Sequence, residues 1–197
     1  MPRPTSILIA AVLLAGLAAC AGVQGPSLSG GPPGPNAEGA ITVAKEQNGK
    51  FLSFVSPKIQ HDPPFLGVSG TNFDCLRSYL DTRSGETANQ LYVEDSYVGK
   101  KREWSAASDE RGQPLRFIPI SSNEITCDAG GGCSYAEEFA AALPEPLMRA
   151  STNGLMVTFT AKSGARTIIQ VPGAQVAAQL AAVDGARKGL AQPTAAK

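Results

Sequence analysis

At 197 residues the chain has the length of one domain, and its seventeen basic and seventeen acidic residues cancel to a formal net charge of zero. Neither sign gathers into a run of five or six, so the clustered Lys and Arg excess that neutralises phosphates is missing, and a nucleic-acid partner is not expected. Setting aside a leader and a linker leaves about 150 residues, enough for a single hydrophobic core.

Met1 to Ser6 contains Arg3 and no acid, Ile7 to Leu17 is apolar, and Leu17-Ala18-Ala19-Cys20 follows directly. A charged start, an apolar stretch and small residues before a cut are the three parts of a secretory leader. The run is shorter than the roughly 20 apolar residues of a permanent membrane span. At these residues the chain resembles the lipobox of bacterial lipoproteins. That resemblance implies a signal peptide over residues 1–19, cleavage before Cys20, diacylglycerol on its thiol and a fatty acid such as palmitate on the freed amine. Each buried CH₂ contributes about 0.8 kcal/mol and one chain alone anchors only marginally, so two or three chains would hold the protein stably at a membrane. Ala21 stands where many inner-membrane lipoproteins carry Asp, which implies transfer to the periplasmic face of the outer membrane.

The segment after Cys20 reads AGVQGPSLSGGPPGPNAEG and has no apolar periodicity. Residues 20–39 are expected to be a lipidated cysteine and a Gly/Pro/Ser tether, with an r.m.s. reach of about 25 Å. From residue 40 to 189 a single β-rich domain is expected, because short runs of β-branched and aromatic residues alternate with turn residues. Ile41 to Glu46 and Lys50 to Ser56 flank Asn48-Gly49, a dipeptide suited to the positive φ of a tight hairpin. His61 to Gly70 reads as a loop, since Pro63 and Pro64 remove ladder donors. Asn72 to Asp81 pairs with Asn89 to Val98 around Arg83-Ser84-Gly85-Glu86, and Arg102 to Ala107 with Leu115 to Ser121 around Asp109-Glu110-Arg111-Gly112. Glu124 to Cys127 and Cys133 to Leu143 form arms of another hairpin. The second arm contains good helix formers, but Tyr135, Glu137, Phe139, Ala141 and Leu143 alternate with period two and favour a strand. Pro146 opens a single helical turn through Arg149. Leu155 to Lys162 and Arg166 to Val171 make the clearest hairpin. After Pro172 an alanine-rich stretch carries Val176, Leu180 and Val183 at i, i+4, i+7, which predicts an amphipathic helix over 173–189. Residues 190–197 are expected to fray. The fold class expected is mainly β: an antiparallel β-sandwich or β-rich domain closed by a C-terminal amphipathic helix.

Lipidation of Cys20 leaves Cys75, Cys127 and Cys133 in a disulfide-permissive compartment. Cys127 and Cys133 enclose five residues, three of them glycine, and this loop can bring two Cα atoms within bonding range, so they are the expected disulfide. Cys75 would then be a buried free thiol; pairing of Cys75 with one of the others is the alternative. A metal site is disfavoured, because C-x5-C is not a finger spacing and His61 is the only imidazole. His61 would have to be the base of any serine triad, but Gly67 to Gly70 is not a G-x-S-x-G elbow, so His61 is read as a surface residue. Glu94-Asp95 and Glu137-Glu138 offer paired acids, yet neighbours on a strand point to opposite faces and neither pair converges. Glu137 shares a face with Tyr135 and Phe139, and a carboxylate there is expected to be neutral or to form a buried ion pair with Arg77, Arg102 or Arg116. Gly130 to Gly132 lacks the Gly-Lys-Ser/Thr of a phosphate cradle. Trp104, Tyr92, Tyr97 and Tyr135 are read as core or cross-strand residues before a sugar- or peptide-binding face.

No cofactor, metal ligand or catalytic set is therefore assigned. The build resembles that of envelope lipoproteins of proteobacteria. The long tether, the neutral charge and the lack of convergent catalytic groups point to a non-enzymatic scaffold, assembly or protein-binding module, held at the membrane through Cys20, with an envelope protein as partner. The alternatives are a periplasmic carrier of a small ligand such as lipid or glycan and, behind it, an envelope hydrolase resting on His61 or the glutamates.

Overall fold

The computed structural model describes residues 39–128, 130 and 132–191. The leader over 1–19, Cys20 and the tether up to residue 38 lie outside those residues. The rest is mainly β, with two antiparallel sheets and a C-terminal helix. The strands are β1 (Thr42–Glu46), β2 (Phe51–Val55), β3 (Ile59–Gln60), β4 (Phe73–Asp81), β5 (Thr87–Gly99), β6 (Trp104–Asp109), β7 (Pro114–Leu115), β8 (Phe117–Cys127), β9 (Cys133–Leu143), β10 (Gly154–Ala161) and β11 (Arg166–Pro172). Helix α1 spans Glu145–Ala150 and α2 spans Gly173–Ala191. Leu190 and Ala191, expected in a frayed tail, belong to α2.

The larger sheet runs β1-β2-β4-β5-β9-β8, with β3 added on β4, and the smaller runs β11-β10-β6-β7. The first hairpin forms where Asn48-Gly49 predicts it: Gln47, Asn48 and Gly49 all have positive φ, at 49°, 57° and 83°. The expected hairpin between residues 102–107 and 115–121 survives only as two pairs, Ala107 with Leu115 and Ser108 with Pro114. Beyond Arg116 the chain changes sheets, and Phe117 pairs with Ala141 of β9. The reason is apolar content. Nine of the eleven residues of β8 pair along β9 and place Phe117 against Phe139 and Phe159, with ring centroids at 5.8 and 6.5 Å, a longer ladder than the six-residue β6 can offer. The sequence stretches 117–121 and 124–127 are accordingly one strand with two register shifts rather than two strands. Residues 133–143 are a strand, as their period-two pattern predicts.

The main core fills the space between the sheets. Leu76, Leu91, Val93, Phe139 and Ala141 project from the larger sheet onto Trp104, Ala107, Val157, Phe159 and Ile169 of the smaller one. The smaller sheet does not reach β2, and α2 covers that end instead: Phe54 and Leu80 pack against Val183. The apolar stripe of α2 is narrow, and two glutamines complete its buried face. Gln175 Nε2 donates to Ser56 Oγ at 2.6 Å and to the Pro57 carbonyl at 3.0 Å; Gln179 Nε2 donates to the Phe54 carbonyl at 3.0 Å and to Ser78 Oγ at 2.9 Å. The helix starts hard against the 152–154 turn, where a Cβ on Gly173 would run into the Thr152 carbonyl oxygen. Arg149 and Arg187 bridge Glu145 and Asp184, tying α1 to α2.

Candidate functional site: a cleft at the flank of the sandwich

Strands β5 and β9 are paired over eleven positions, and their inner face changes character along its length. Leu91 opposes Ala141 and Val93 opposes Phe139 under the smaller sheet; the next inner pairs are Asp95 with Glu137 and Tyr97 with Tyr135. On the outer face Glu94 opposes Glu138. The two acidic dipeptides, which diverge along their own strands, thus meet across the ladder and give each face one carboxylate pair. Strand alternation alone separates them; the register, which is a tertiary property, brings them together.

The inner carboxylates have different partners. Asp95, 3 % exposed, accepts from Arg102 Nη1 at 2.8 Å to each oxygen and from the Trp104 indole Nε1 at 2.7 Å. Arg102 also lies over the Tyr97 ring, its guanidinium carbon 4.0 Å from the centroid, and its backbone N–H donates to the Tyr97 hydroxyl at 2.7 Å. Glu137, equally buried, accepts from Ser122 Oγ at 2.8 Å through Oε1, while Oε2 has no hydrogen-bond partner among the described residues. Arg102 pairs with Asp95, and neither it nor Arg116 forms an ion pair with Glu137. The buried ion pair expected there is made one strand away, because Arg102 rises from the β5–β6 connection on the Asp95 side. The Tyr97 hydroxyl is held well above its ordinary pKa, first by burial and then by the charge of the Glu137 carboxylate and side-chain hydrogen bonding to it, so it stays a neutral phenol.

Glu137 lies in the wall of a cleft of about 330 Å³ between β6, β8 and β9. Trp104, Phe117 and Phe139 give it an aromatic side, Ser121 and Ser122 a polar one, and Lys101, Glu103 and Lys162 stand at its rim. The rings are in mutual contact, with Trp104 and Phe139 centroids 5.1 Å apart, so the aromatic wall is fixed by the core behind it. A second depression of similar volume, at the other end of β5 and β9 beside Gln90, Arg116 and Glu145, contains no buried unpartnered group.

The outer face carries a smaller cluster of Phe73, Cys75 and Tyr92. Arg77 stacks on the Tyr92 ring at 3.6 Å from its centroid, and burial together with Glu138 raises the Tyr92 pKa. Glu94 accepts from the Asn72 backbone N–H at 2.5 Å and from the Ser96 hydroxyl; burial, the largest influence, raises its pKa. Cys75 is fully buried as expected, but it is not a free thiol. Cys127 and Cys133 form the expected disulfide, S–S 2.03 Å, across directly paired positions at the β8–β9 tip.

His61 is not the surface residue expected. Its side chain is 9 % exposed and its Nδ1 lies 3.4 Å from Asp74 Oδ1, without hydrogen-bond alignment, because β3 adds beside β4 and turns the ring inward. Burial pushes the Asp74 pKa up and His61 opposes the rise. His61 is outside the cleft lining, so imidazole and Glu137 do not converge. Glu124, Cys127 and Cys133 bring one potential ligand atom each within 4.8 Å of one another, but the two sulfurs are spent on the disulfide and offer no thiolate to a metal.

The geometry thus defines a two-sheet β-sandwich with a C-terminal helix and an aromatic- and carboxylate-lined cleft on its flank. No family model, no curated protein and no solved structure matches the chain. The cleft was not legible in the sequence. Its parts come from residues 101–104, 117–122, 137–139 and 162, and the one usable signal was a glutamate placed in phase with Tyr135 and Phe139.

Proposed function

We propose that this protein is a non-enzymatic binding module of the cell envelope, anchored by lipid on Cys20 to the periplasmic face of the outer membrane, and that it holds its partner or ligand in the flank cleft. The observation that carries the binding reading is Glu137, which lines an aromatic cleft and whose Oε2 is a buried acceptor without a hydrogen-bond partner among the described residues. Ligand sites combine an apolar wall with a few convergent polar groups, and this cleft has that composition at the small end of the usual volume range. Acid-base catalysis by the Asp95 and Glu137 pair is disfavoured because Asp95 is committed to Arg102 and Trp104, and one free carboxylate is half of the required set. The cleft volume supports a second reading, a carrier of a small ligand; an acyl chain or a long glycan exceeds it.

Two experiments test this. A photo-crosslinking residue at Ser121, inside the cleft, and another at Ile168, exposed on β11, are introduced into the full chain in its own membrane. A reproducible adduct from position 121 and not from 168 supports the reading; no adduct, or the same adduct from both positions, overturns it. Anchoring is tested by mass spectrometry of the membrane-extracted protein before and after reduction. A mature terminus at Cys20 carrying acyl mass that survives reduction is expected. The reduction step is needed because Cys127 and Cys133 are bonded and no described cysteine is a free thiol, and a lipid thioether resists reductant where a disulfide does not. Retention of residues 1–19, or a Cys20 without acyl mass, removes the lipid anchor.

A further inference from the structure

Resting on the reading of the cleft as a binding site, we infer that it accepts an organic cation: an ammonium or guanidinium group on a short apolar stem, seated with its charge at Glu137 Oε2. Two neighbouring acids share this buried region, and only one is compensated. Arg102 neutralises Asp95, whereas the groups recorded against Glu137 among the described residues are neutral hydroxyls, Ser122 Oγ at Oε1 and the Tyr97 phenol. A buried carboxylate without a cation is costly, and a ligand that brings one recovers that cost on binding.

Three further features fit a cation. The lining that Glu137 shares is aromatic, with Phe139 next to it on the same face of β9 and Trp104 against Phe139, and aromatic rings attract positive charge in a desolvated setting. Phe117 and Ile120, also in the lining, provide apolar contact for a stem. Of the two rim lysines, Lys162 is held by Glu103 at 3.3 Å. Among the described residues of the rim, Lys101 is the internal competitor, and its swing into the cleft is an outcome the test detects.

Trp104 is the sole tryptophan of the chain and lines the cleft, so its fluorescence reports occupancy without a label. The full-length protein in non-ionic detergent is titrated with phenethylammonium, with Nα-acetyl-arginine amide, and with 2-phenylethanol as the uncharged counterpart of the first. Saturable change with a cation and a response at least about tenfold weaker with the alcohol are expected. Glu137→Gln, with its fold checked by circular dichroism and thermal midpoint, should weaken cation binding about tenfold; Glu110→Gln, the same charge change on a remote turn, should leave it unchanged. Binding by phenethylammonium points to a small amine, and binding by the arginine amide alone to a side chain of a partner protein. The inference is overturned if the alcohol and the cations bind alike, if Glu137→Gln binds as wild type does, or if cations bind only after Lys101→Ala, which would make Lys101 the resident counter-ion. Failure of every cation alongside a Ser121-specific crosslink removes this assignment and leaves the binding reading in place.

Discussion

Asp95 and Glu137 face each other across the β5–β9 ladder, and Asp95 takes the guanidinium while Glu137 takes a hydroxyl. The two carboxylates thus differ in their partners: Asp95 locks the start of β6 through Arg102 and Trp104, and Glu137 Oε2 is buried without a hydrogen-bond partner among the described residues. Asp95→Ala should therefore destabilise the fold by about 3 kcal/mol, since it leaves a half-buried arginine and a buried indole N–H without their acceptor. Urea unfolding checks the value, and a red-shifted Trp104 emission would show the indole released to water. Glu137→Gln should cost far less, because the amide retains an acceptor for Ser122.

The glutamines of α2 make a second prediction. Gln179 is fully buried and donates to both the Phe54 carbonyl and Ser78 Oγ. Gln179→Leu keeps approximate volume but leaves two buried acceptors with one donor fewer each, so stability should fall by roughly 2 kcal/mol. A Gln179→Leu protein as stable as wild type would show that packing alone holds α2. Chemical denaturation of both chains decides it.

The Cys127–Cys133 bond closes a short loop at the far tip of β8 and β9. Replacing both cysteines with serine should lower stability by about 2 kcal/mol in the loop-entropy account, and by less if the tip opens before the sandwich does. Hydrogen exchange separates these cases: loss of protection confined to residues near 124–135 is the expected result, with Leu91 and Val93 amides unaffected.

Acid should act on the two ends of the molecule with opposite sign. Arg187 and Arg149 hold the Glu145 carboxyl below its usual range, and Arg149 does the same for Asp184. A depressed carboxyl stabilises the fold above its unfolded pKa and loses that contribution as pH falls through the folded one. Asp184→Asn should thus cost a few tenths to 1 kcal/mol at pH 7 and nothing near pH 3. Asp74 behaves the other way, because burial raises its pKa. Its favourable contribution is complete below the ordinary value of 3.8 and is lost as pH rises through the folded one, so Asp74→Asn should be better tolerated at pH 7 than at pH 3. Thermal midpoints of the two variants against pH give both slopes.

Much of the strand framework could be read from local chemistry. Period-two alternation located β9, β10 and β11, Asn48-Gly49 marked the first turn, and a glycine-rich five-residue spacing marked the disulfide. These features depend on neighbours a few residues apart, where backbone preference and side-chain alternation act directly. The transfer of β8 from one sheet to the other was not readable, because it turns on which distant strand offers Phe117 the better surface. Nor were the buried glutamines of α2, whose carbonyl and hydroxyl partners lie more than a hundred positions earlier.

By itself, then, the sequence determined the fold class, the closing helix and the expectation of a lipid-bearing Cys20, since each follows from a contiguous pattern. The arrangement of charge was decided only in three dimensions. Alternation sends Asp95 and Glu94, or Glu137 and Glu138, to opposite faces, but the strand register chooses which acids meet, and the path of residues 100–104 chooses which of them Arg102 can reach. A single-residue slip between β5 and β9 would have paired different carboxylates and left a different oxygen without a partner.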